Sequence, residues 1–419
     1  MAIYIAVAAD HQDSLAIIDF SSLSSPSLKG YIAGAGAPNY LDNPRGVQVV
    51  NGLAYIVSYG DEYLNIFDVD DPTQPIRKGG LYLGIDAKGL VVANGKAYIT
   101  AYLDDGIIIV DVSNPALPTL LGSISGIGSP NYLGGAEDID VDTNLAYVAC
   151  DIDDSLTIID ISNPAVPTFK GNISGAGAPN YLNGITKVKV VGNYAYVTAQ
   201  HDDSFVIIDV STPATPSLVG YIAGAGAPNY LDEPSGFDVV GNYAYIAAGI
   251  DDSLTIIDIS VPSSPTFVGN ISGAGSPNYL NKPRDVKVVG NCAYVTAFSD
   301  DSLTVINISN PASPSFVSNI SGAANYLDGA NRLSYFYGKD PTEYKDRITG
   351  ITRMVGPGTY LSRLTLGGLP KVITPAEFDK GLVSPATEEG IELWYEVTSE
   401  GIKFFWLFPD GRKEYITNL

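Results

Sequence analysis

A short apolar motif that ends in aspartate recurs along this chain at a nearly fixed spacing, and it constrains the fold more than any other feature. Its copies end at Asp19, Asp68, Asp111, Asp160, Asp209, Asp258 and Asn307. The steps between them are 49, 43, 49, 49, 49 and 49 residues. Self-similarity at such a period is the signature of a repeat architecture in which each unit packs on its neighbours. Seven copies therefore predict seven repeated units.

One repeat unit contains four β-rich segments. They are GFDVV from Gly236, then Tyr243–Ala248, Leu254–Ile259 and Thr266–Ile271. Gly-Asn suits the tight turn after the first segment, and the prolines after the third end it because proline cannot donate to a strand ladder. Four strands per unit of this length are typical of a propeller blade. The predicted fold class is all-β, a seven-bladed β-propeller.

The two ends of the repeat region complement each other. Ile3–Ala8 matches the second segment of a regular unit, so the first unit lacks its inner strand. The stretch from Asn331 to Gly338 matches an inner strand. We expect it to complete the first blade and to remove the open edge between the first and last blades. Residues 1–338 then form the propeller domain, and removal of the residues after about 325 is expected to open the ring.

The motif also has a family likeness. Leu254-Thr255-Ile256-Ile257-Asp258, followed by Ile259-Ser260 and a pair of prolines, resembles the LVIVD repeat, which gives its name to a family of β-propellers. The resemblance covers about residues 1–338 in all seven units. It implies a propeller at a surface or outside the cell, with no established reaction and no catalytic residues to carry over.

Residues 339–419 do not repeat, and we predict that they form a small, mainly β domain for attachment or interaction. The stretch 374–380, TPAEFDK, is typical of a short capped helix, and 391–397, 402–408 and 414–417 are typical of a β-meander. The candidate assembly residues are Phe404, Phe405, Trp406 and Phe408. A small unit has little core of its own, so a strand this apolar is stabilised when it is buried against a partner. Packing within its own small core or on the propeller is the alternative.

Composition narrows the choice of partners and cofactors. The formal net charge of −23 disfavours nucleic acid, because phosphate binding needs a basic surface. Cys150 and Cys292 occupy different positions in their units, which argues against a disulfide framework, and no metal-ligand spacing accompanies them. The first residues resemble neither a signal peptide nor a membrane span, and we expect no transmembrane segment.

Two sets of candidate binding residues fall on one face of the predicted propeller. Acid pairs before the third strand occur at Asp104/Asp105, Asp153/Asp154, Asp202/Asp203, Asp251/Asp252 and Asp300/Asp301. They indicate either a calcium or sugar site, or turns that the carboxylates cap through backbone hydrogen bonds. Calcium needs six to eight converging oxygens, and no EF-hand-like spacing is present. We therefore favour the caps and expect no cofactor, with Ca²⁺ as the alternative.

The second set lies on a GAGxPNYL loop between the units, which is absent between the second and third units. Its glycines have no phosphate-binding setting, since no helix follows them. Its tyrosines either anchor the loop between blades or offer aromatic contacts to a glycan or a protein. The combined candidate binding residues are Tyr40, Tyr132, Tyr181, Tyr230, Tyr279, Tyr326, Asp154, Asp203, Asp252 and Asp301.

The predicted inner strands carry one further pattern. Their central positions are Gln48, Val91, Asp140, Lys189, Asp238, Lys287 and Ser334. Four successive blades thus alternate in sign. Oppositely charged neighbours around the channel would offset the cost of burying one another.

The near-identity of the units bears on function. An enzyme site needs different residues from different blades converging on one reacting centre, whereas these units supply almost the same residues. This favours a non-catalytic structural or adhesive propeller on a particle such as a virion, or on a cell, docked to protein partners through residues 339–419. One alternative is a carbohydrate-binding module that uses the tyrosine loops. Another is a lactonase- or hydrolase-like enzyme with a metal in the channel. A cytoplasmic location is a further alternative.

Overall fold

A computed structural model describes residues 3–337 and, beyond them, strands at 343–345, 352–354, 364–366, 369–371, 392–398, 401–407 and 413–415. The contacts within the chain divide it into two units, Met1–Gly338 and Lys339–Leu419. Among the described residues, no helix has the length and the apolar character needed to cross a membrane.

The first unit consists of seven four-stranded antiparallel sheets, each running from an inner through a second and a third to an outer strand. In that order, blade 1 is Ala330–Tyr337, Ile3–Ala9, Ser14–Asp19 and Ser27–Ala33; blade 2 is Pro44–Val50, Leu53–Ser58, Tyr63–Asp68 and Ile76–Tyr82; blade 3 is Ala87–Ala93, Lys96–Ala101, Gly106–Asp111 and Thr119–Ser125; blade 4 is Ala136–Asp142, Leu145–Cys150, Ser155–Asp160 and Thr168–Ser174. Blade 5 is Ile185–Val191, Tyr194–Ala199, Ser204–Asp209 and Ser217–Ala223; blade 6 is Pro234–Val240, Tyr243–Ala248, Ser253–Asp258 and Thr266–Ser272; blade 7 is Pro283–Val289, Cys292–Ala297, Ser302–Asn307 and Ser315–Ser321. A short 3₁₀ turn, Ala323–Asn325, follows blade 7. The predicted seven-bladed propeller is confirmed.

The two ends of the repeat region close the ring as the sequence predicts. Ala330–Tyr337 pairs antiparallel with Ile3–Ala9, in a register that places Val7 opposite Leu333. Blade 1 therefore takes its inner strand from the end of the repeat region and its other three strands from the beginning. This arrangement satisfies the backbone groups that an open edge would leave unpaired.

The core of the propeller lies between blades. Each third strand is buried on both faces, as in Ser253–Asp258, which explains its continuous apolar run. Seven apolar clusters fill the seven interfaces. Between blades 6 and 7, for example, Leu254 and Ile256 pack with Val286 and Val295. Burying each such side chain contributes roughly 1.5–3 kcal/mol.

The aspartate or asparagine that ends each motif starts a turn, which accounts for its recurrence. Asp258 Oδ1 accepts a hydrogen bond from the Ser260 backbone N–H at 2.8 Å, and Asn307 does the same for Ser309 at 2.9 Å. Hydrogen bonds from the side chain and backbone of Ser260 lower the pKa of Asp258. Pro262, which follows Asp258 in blade 6, packs against the outer strand of blade 5. A Cβ added at Gly220 would lie 2.4 Å from the Pro262 carbonyl oxygen, so the outer strand needs glycine there.

In the second unit, Glu392–Thr398, Gly401–Leu407 and Lys413–Tyr415 form a three-stranded antiparallel sheet in the region of the predicted meander. Two short hairpins pair Glu343–Lys345 with Thr352–Met354, and Leu364–Leu366 with Leu369–Lys371. The helix predicted at 374–380 lies outside the described residues.

Candidate functional site at the loop face and in the channel

All ten candidate Asp and Tyr residues lie at one end of the propeller, which we call the loop face. It carries the turns between second and third strands and the loops between blades. The two kinds of segment contact each other there through backbone and side-chain hydrogen bonds.

The acid pairs hold the loops between blades in an arrangement that we call the aspartate clamp. Between blades 5 and 6, Asp251 accepts hydrogen bonds from the backbone N–H groups of Gly226 at 3.1 Å and Asp232 at 2.8 Å. Asp203, on the preceding blade, accepts one from Glu233 at 3.2 Å. One loop is thereby bonded to both blades that it connects.

The clamp recurs at each of the five complete loops. The pairs of clamping residues are Asp13 with Asp61, Asp105 with Asp153, Asp154 with Asp202, Asp203 with Asp251, and Asp252 with Asp300. Asp301 bonds the Gly329 N–H at 2.9 Å in the shortened loop. The carboxylates thus accept hydrogen bonds from backbone N–H groups, as the sequence predicts. The N–H groups belong to the neighbouring loops, however, and not to the turns that carry the carboxylates. The loop N–H groups need acceptors that an irregular backbone does not supply.

The candidate tyrosines occupy one equivalent position per loop. Tyr230 adopts a left-handed backbone conformation with φ 51°, and its carbonyl oxygen accepts a hydrogen bond from Thr255 Oγ1 of the next blade at 2.8 Å. The leucine that follows it, Leu231, is fully buried between the blades. Leucine therefore anchors the loop, while the tyrosine ring is only half-buried.

Each tyrosine ring packs against an aromatic ring of the blade that follows its loop. The ring-centroid distances are 4.2 Å for Tyr40–Tyr63, 6.1 Å for Tyr132–Phe169, 3.9 Å for Tyr181–Tyr221, 6.0 Å for Tyr230–Phe267, 6.2 Å for Tyr279–Phe316 and 3.4 Å for Tyr326–Tyr31. The structure thus places the six tyrosines at separate blade interfaces. Ligand binding by them stays a prediction.

The clamp can be tested with a control that the chain itself supplies. Asp251→Ala removes the acceptor of two loop N–H groups, and hydrogen bonds to charged groups contribute about 1.5–3 kcal/mol. We expect a loss of about 2 kcal/mol in the free energy of unfolding, measured by urea denaturation. Asp104 occupies the same register where the long loop is absent, and among the described residues it accepts a hydrogen bond only from the Asp86 N–H, at 3.4 Å. Asp104→Ala should change stability by less than about 0.5 kcal/mol, and equal losses would contradict the clamp.

The channel is lined by the inner strands. Each is the last strand of its sheet, so the backbone groups on its channel side pair with no other described strand. Side chains of one blade supply acceptors to the next. Asp140 bonds the Val190 N–H at 2.7 Å, and Asp238 bonds the Val288 N–H at 2.9 Å. Lys189 also forms an ion pair with Asp238, as the alternating signs predict. The central polar residues therefore join neighbouring blades.

A second layer of charges is more deeply buried. Lys187 of blade 5 lies 3.5 Å from Asp285 of blade 7 and 4.0 Å from Asp138 of blade 4. Blade 6 has Gly236 at this level, and a Cβ there would lie 2.6 Å from Asp285 Oδ1, so glycine leaves room for the contact. Burial alone would raise the pKa of Asp285, but Lys187, Lys287 and Arg332 outweigh it and hold that pKa below its usual value.

Among the described residues, no group of three or more His, Cys, Asp or Glu side chains is placed to hold a metal ion. Cys150 and Cys292 are both free and buried, in agreement with the expectation of no disulfide framework.

Comparison with known protein families matches the LVIVD repeat in seven segments. They are residues 3–33, 43–81, 84–125, 133–174, 185–223, 235–272 and 282–321. The chain belongs to the LVIVD-repeat family. A search of curated proteins found no significant match.

Several solved structures share the fold of this LVIVD-repeat propeller at low identity. A protein from Lactobacillus plantarum is 12% identical, with a TM-score of 0.66 over 80% of this chain and 100% of that one. The periplasmic gluconolactonase PpgL of Pseudomonas aeruginosa is 10% identical, with a TM-score of 0.65 over 81% and 100%. Apo AztD from Citrobacter koseri is 14% identical, with a TM-score of 0.55 over 81% and 99%. At these identities the likeness shows the propeller fold alone.

The remaining sequence candidates lie on the second unit. Phe404, Phe405 and Trp406 belong to the strand Gly401–Leu407, while Phe408 and the side chains of all four lie outside the described residues. The assembly role stays a prediction. The repeat motif gives no hint of Gly236 or of the inner-strand arginines. One signal in the sequence could have found the arginines. Of the 13 Lys and Arg side chains in residues 1–338, seven fall on the inner strands.

Proposed function

We propose that this LVIVD-repeat protein is a non-catalytic structural or adhesive propeller, displayed on a particle such as a virion or on a cell and attached through residues 339–419 to protein partners. The observation that supports it best is the aspartate clamp, repeated at five blade interfaces. A carboxylate that already accepts hydrogen bonds from two backbone N–H groups, as Asp251 does, is committed to holding the ring together. The repeated loop face is thus a rigid, recurrent surface suited to multivalent contact.

The charge distribution favours attachment through the second unit. Residues 1–338 carry a net charge of −21 and residues 339–419 a net charge of −2. Like-charged propellers repel each other, so contacts within an assembly should involve the less charged unit. In this proposal the loop face points outward.

The carboxylate geometry supports a propeller that does not depend on calcium. The oxygens of the acid pairs receive N–H donors, as when both oxygens of Asp153 face the Gly128 N–H at 3.0 and 2.9 Å. A cation there would have to displace these bonds.

A carbohydrate-binding role is the second candidate, because some aromatic pairs on the loop face remain accessible. Tyr221, which stacks on Tyr181, is 39% exposed, and Tyr31, which stacks on Tyr326, is 45% exposed. Such rings offer contact area at low entropic cost. Glycan-array binding that Tyr181→Ala or Tyr221→Ala removes would favour this candidate over a protein partner.

The attachment role is tested by incorporation into the native particle or cell surface, followed by co-purification. We expect Phe405→Asp or Trp406→Asp to reduce incorporation by at least about tenfold, since an aspartate in a buried apolar contact is left without compensation. Thr398→Asp, which adds the same charge at the end of a neighbouring strand, is the control. Unchanged circular dichroism would show that the propeller stays folded. Normal incorporation of a chain that ends at residue 338 would contradict the proposal.

A further inference from the structure

Positive charge is concentrated around the channel of an otherwise acidic propeller. The seven inner strands together hold seven basic and six acidic residues, whereas the rest of residues 1–338 holds six basic and 28 acidic ones. Low-dielectric walls focus the electric field of the basic residues into the channel, where it attracts small anions. The acidic exterior repels large polyanions.

Three arginines lie on three successive blades, near the loop-face end of this channel. Arg284 of blade 7, Arg332 of blade 1 and Arg45 of blade 2 each lie near the start of an inner strand. Arg284 lies within electrostatic range of the other two. We call these three residues the arginine cluster.

The cluster has buried donors without acceptors. Arg45 Nε and an Nη of Arg332 are buried, and neither has a hydrogen-bond partner among the described residues. Within the same part of the chain, no carboxylate forms an ion pair with Arg284 or Arg332. A buried donor left unsatisfied is destabilising, and a buried group that lacks a partner calls for an explanation.

Two of the nearby acids already face lysines. Asp285 faces Lys187 at 3.5 Å, and Glu137 bonds Lys88 at 2.6 Å. Burial lowers the pKa of Arg284. The charge of Glu233 opposes this shift, whereas the charges of Arg332 and Arg45 add to it. For Arg332, burial alone would also lower the pKa, but Asp285, Asp138 and Glu137 outweigh it. Arg45 has one close carboxylate, Asp10 at 3.1 Å, which leaves its Nε free.

Aromatic rings support two of the three guanidinium groups. The Phe298 ring lies 5.4 Å from the Arg284 guanidinium carbon, and the Tyr59 ring lies 5.9 Å from that of Arg45. Such packing limits the motion of the guanidinium planes. Planar, oriented guanidinium groups match the geometry of carboxylate and phosphate oxygens.

We propose that the arginine cluster binds a small oxyanion, either a phosphate or a carboxylate group, at the loop-face end of the channel. The ligand accepts hydrogen bonds from the free donors of Arg45 and Arg332 and neutralises the repulsion at Arg284. The acidic exterior restricts the site to small molecules. This inference is independent of the display function.

The test is isothermal titration calorimetry of the full chain with sodium phosphate and, separately, sodium citrate, at fixed ionic strength in a buffer free of other oxyanions. We expect saturable binding of one ligand per chain for at least one of the two probes, and the probe that binds identifies the preferred oxyanion. Arg332→Gln removes a charge-assisted hydrogen bond to the ligand, and Arg284→Gln removes a positive charge beside it. Each should weaken that binding by about tenfold or more. Lys170→Gln removes the same charge from an exposed ion pair on the outer strand of blade 4 and should leave the affinity unchanged.

Circular dichroism and thermal unfolding identify any variant that fails to fold. If Arg332→Gln unfolds, Arg284→Gln alone decides the question, because the Arg284 side chain makes no hydrogen bond or ion pair with another described residue. The proposal is wrong if neither probe gives saturable binding up to about 10 mM. It is equally wrong if both arginine variants bind as the native chain does, or if Lys170→Gln weakens binding as much as they do.

Discussion

A chain that ends at residue 329 is expected to lose the cooperative unfolding of the propeller. It would lack Ala330–Tyr337, so Ile3–Ala9 would become an open edge. Leu333 would be missing from the apolar cluster between blades 7 and 1. The free energy of unfolding should fall by at least about 5 kcal/mol, comparable with the whole stability of many domains. Differential scanning calorimetry and urea denaturation measure this loss.

The matched control for the truncation is a chain that ends at residue 338. It removes the second unit but keeps the closing strand, along with contacts such as the 2.6 Å hydrogen bond from Thr296 Oγ1 to the Asn331 carbonyl oxygen. We expect this chain to melt cooperatively. If the two truncated chains unfold within about 1 kcal/mol of each other, the closing strand does not hold the ring together.

Asp285→Asn is expected to have the second-largest effect, because it removes a buried negative charge that serves several cations. Asp285 is almost completely buried and lies in the field of Lys187, Lys287 and Arg332. Asparagine keeps the shape but leaves those cations without compensation, and breaking a buried ion pair in this way costs about 3–5 kcal/mol. Urea denaturation at neutral pH should show this loss.

The control is Asp142→Asn, the same chemical change on the inner strand of blade 4. Asp142 is exposed, and within the described part of the chain its carboxylate accepts a hydrogen bond only from the neighbouring Thr143 hydroxyl, at 3.1 Å. We expect its stability to stay within about 0.5 kcal/mol of the native protein. If Asp285→Asn were equally mild, the buried charges would not be coupled as their geometry indicates.

The pH dependence gives an independent check on Asp285. Its pKa is lowered in the folded state, so its contribution to stability is complete above the unfolded value of about 4. That contribution is lost as the pH falls through the lower, folded value. The stability difference between the native chain and Asp285→Asn should therefore be largest at neutral pH and narrow in strong acid. A difference that stays constant down to pH of about 2 would contradict the assignment.

The sequence by itself determined the plan of the propeller. The recurring motif specified the number of blades, and the partial units at the two ends specified which strand closes the ring. Local physical rules suffice for these features, because β-strand composition, proline positions and tight turns depend on residues close together in the chain. The recurrence of Asp258 and its equivalents likewise has a local cause, a hydrogen bond to the residue two positions later.

Tertiary structure decided which residues meet across blades. Asp251 bonds a loop N–H 25 residues away, and Lys187 faces Asp285 on the second blade along. The repeat pattern marks equivalent positions but does not say which of them converge. That outcome depends on the angle between adjacent blades and on the space left by Gly236.

The arginine cluster shows the same division most clearly. Arg45 and Arg284 occupy equivalent positions on their inner strands, while Arg332 lies one position further along, at the level of Asp285. Arg45 and Arg332 stand at opposite ends of the propeller sequence, and only ring closure brings their blades side by side. The sequence determined that the ring closes, because that depends on strand pairing alone. Whether charged groups at the closure find partners depends on three-dimensional distances, which only the tertiary structure supplies.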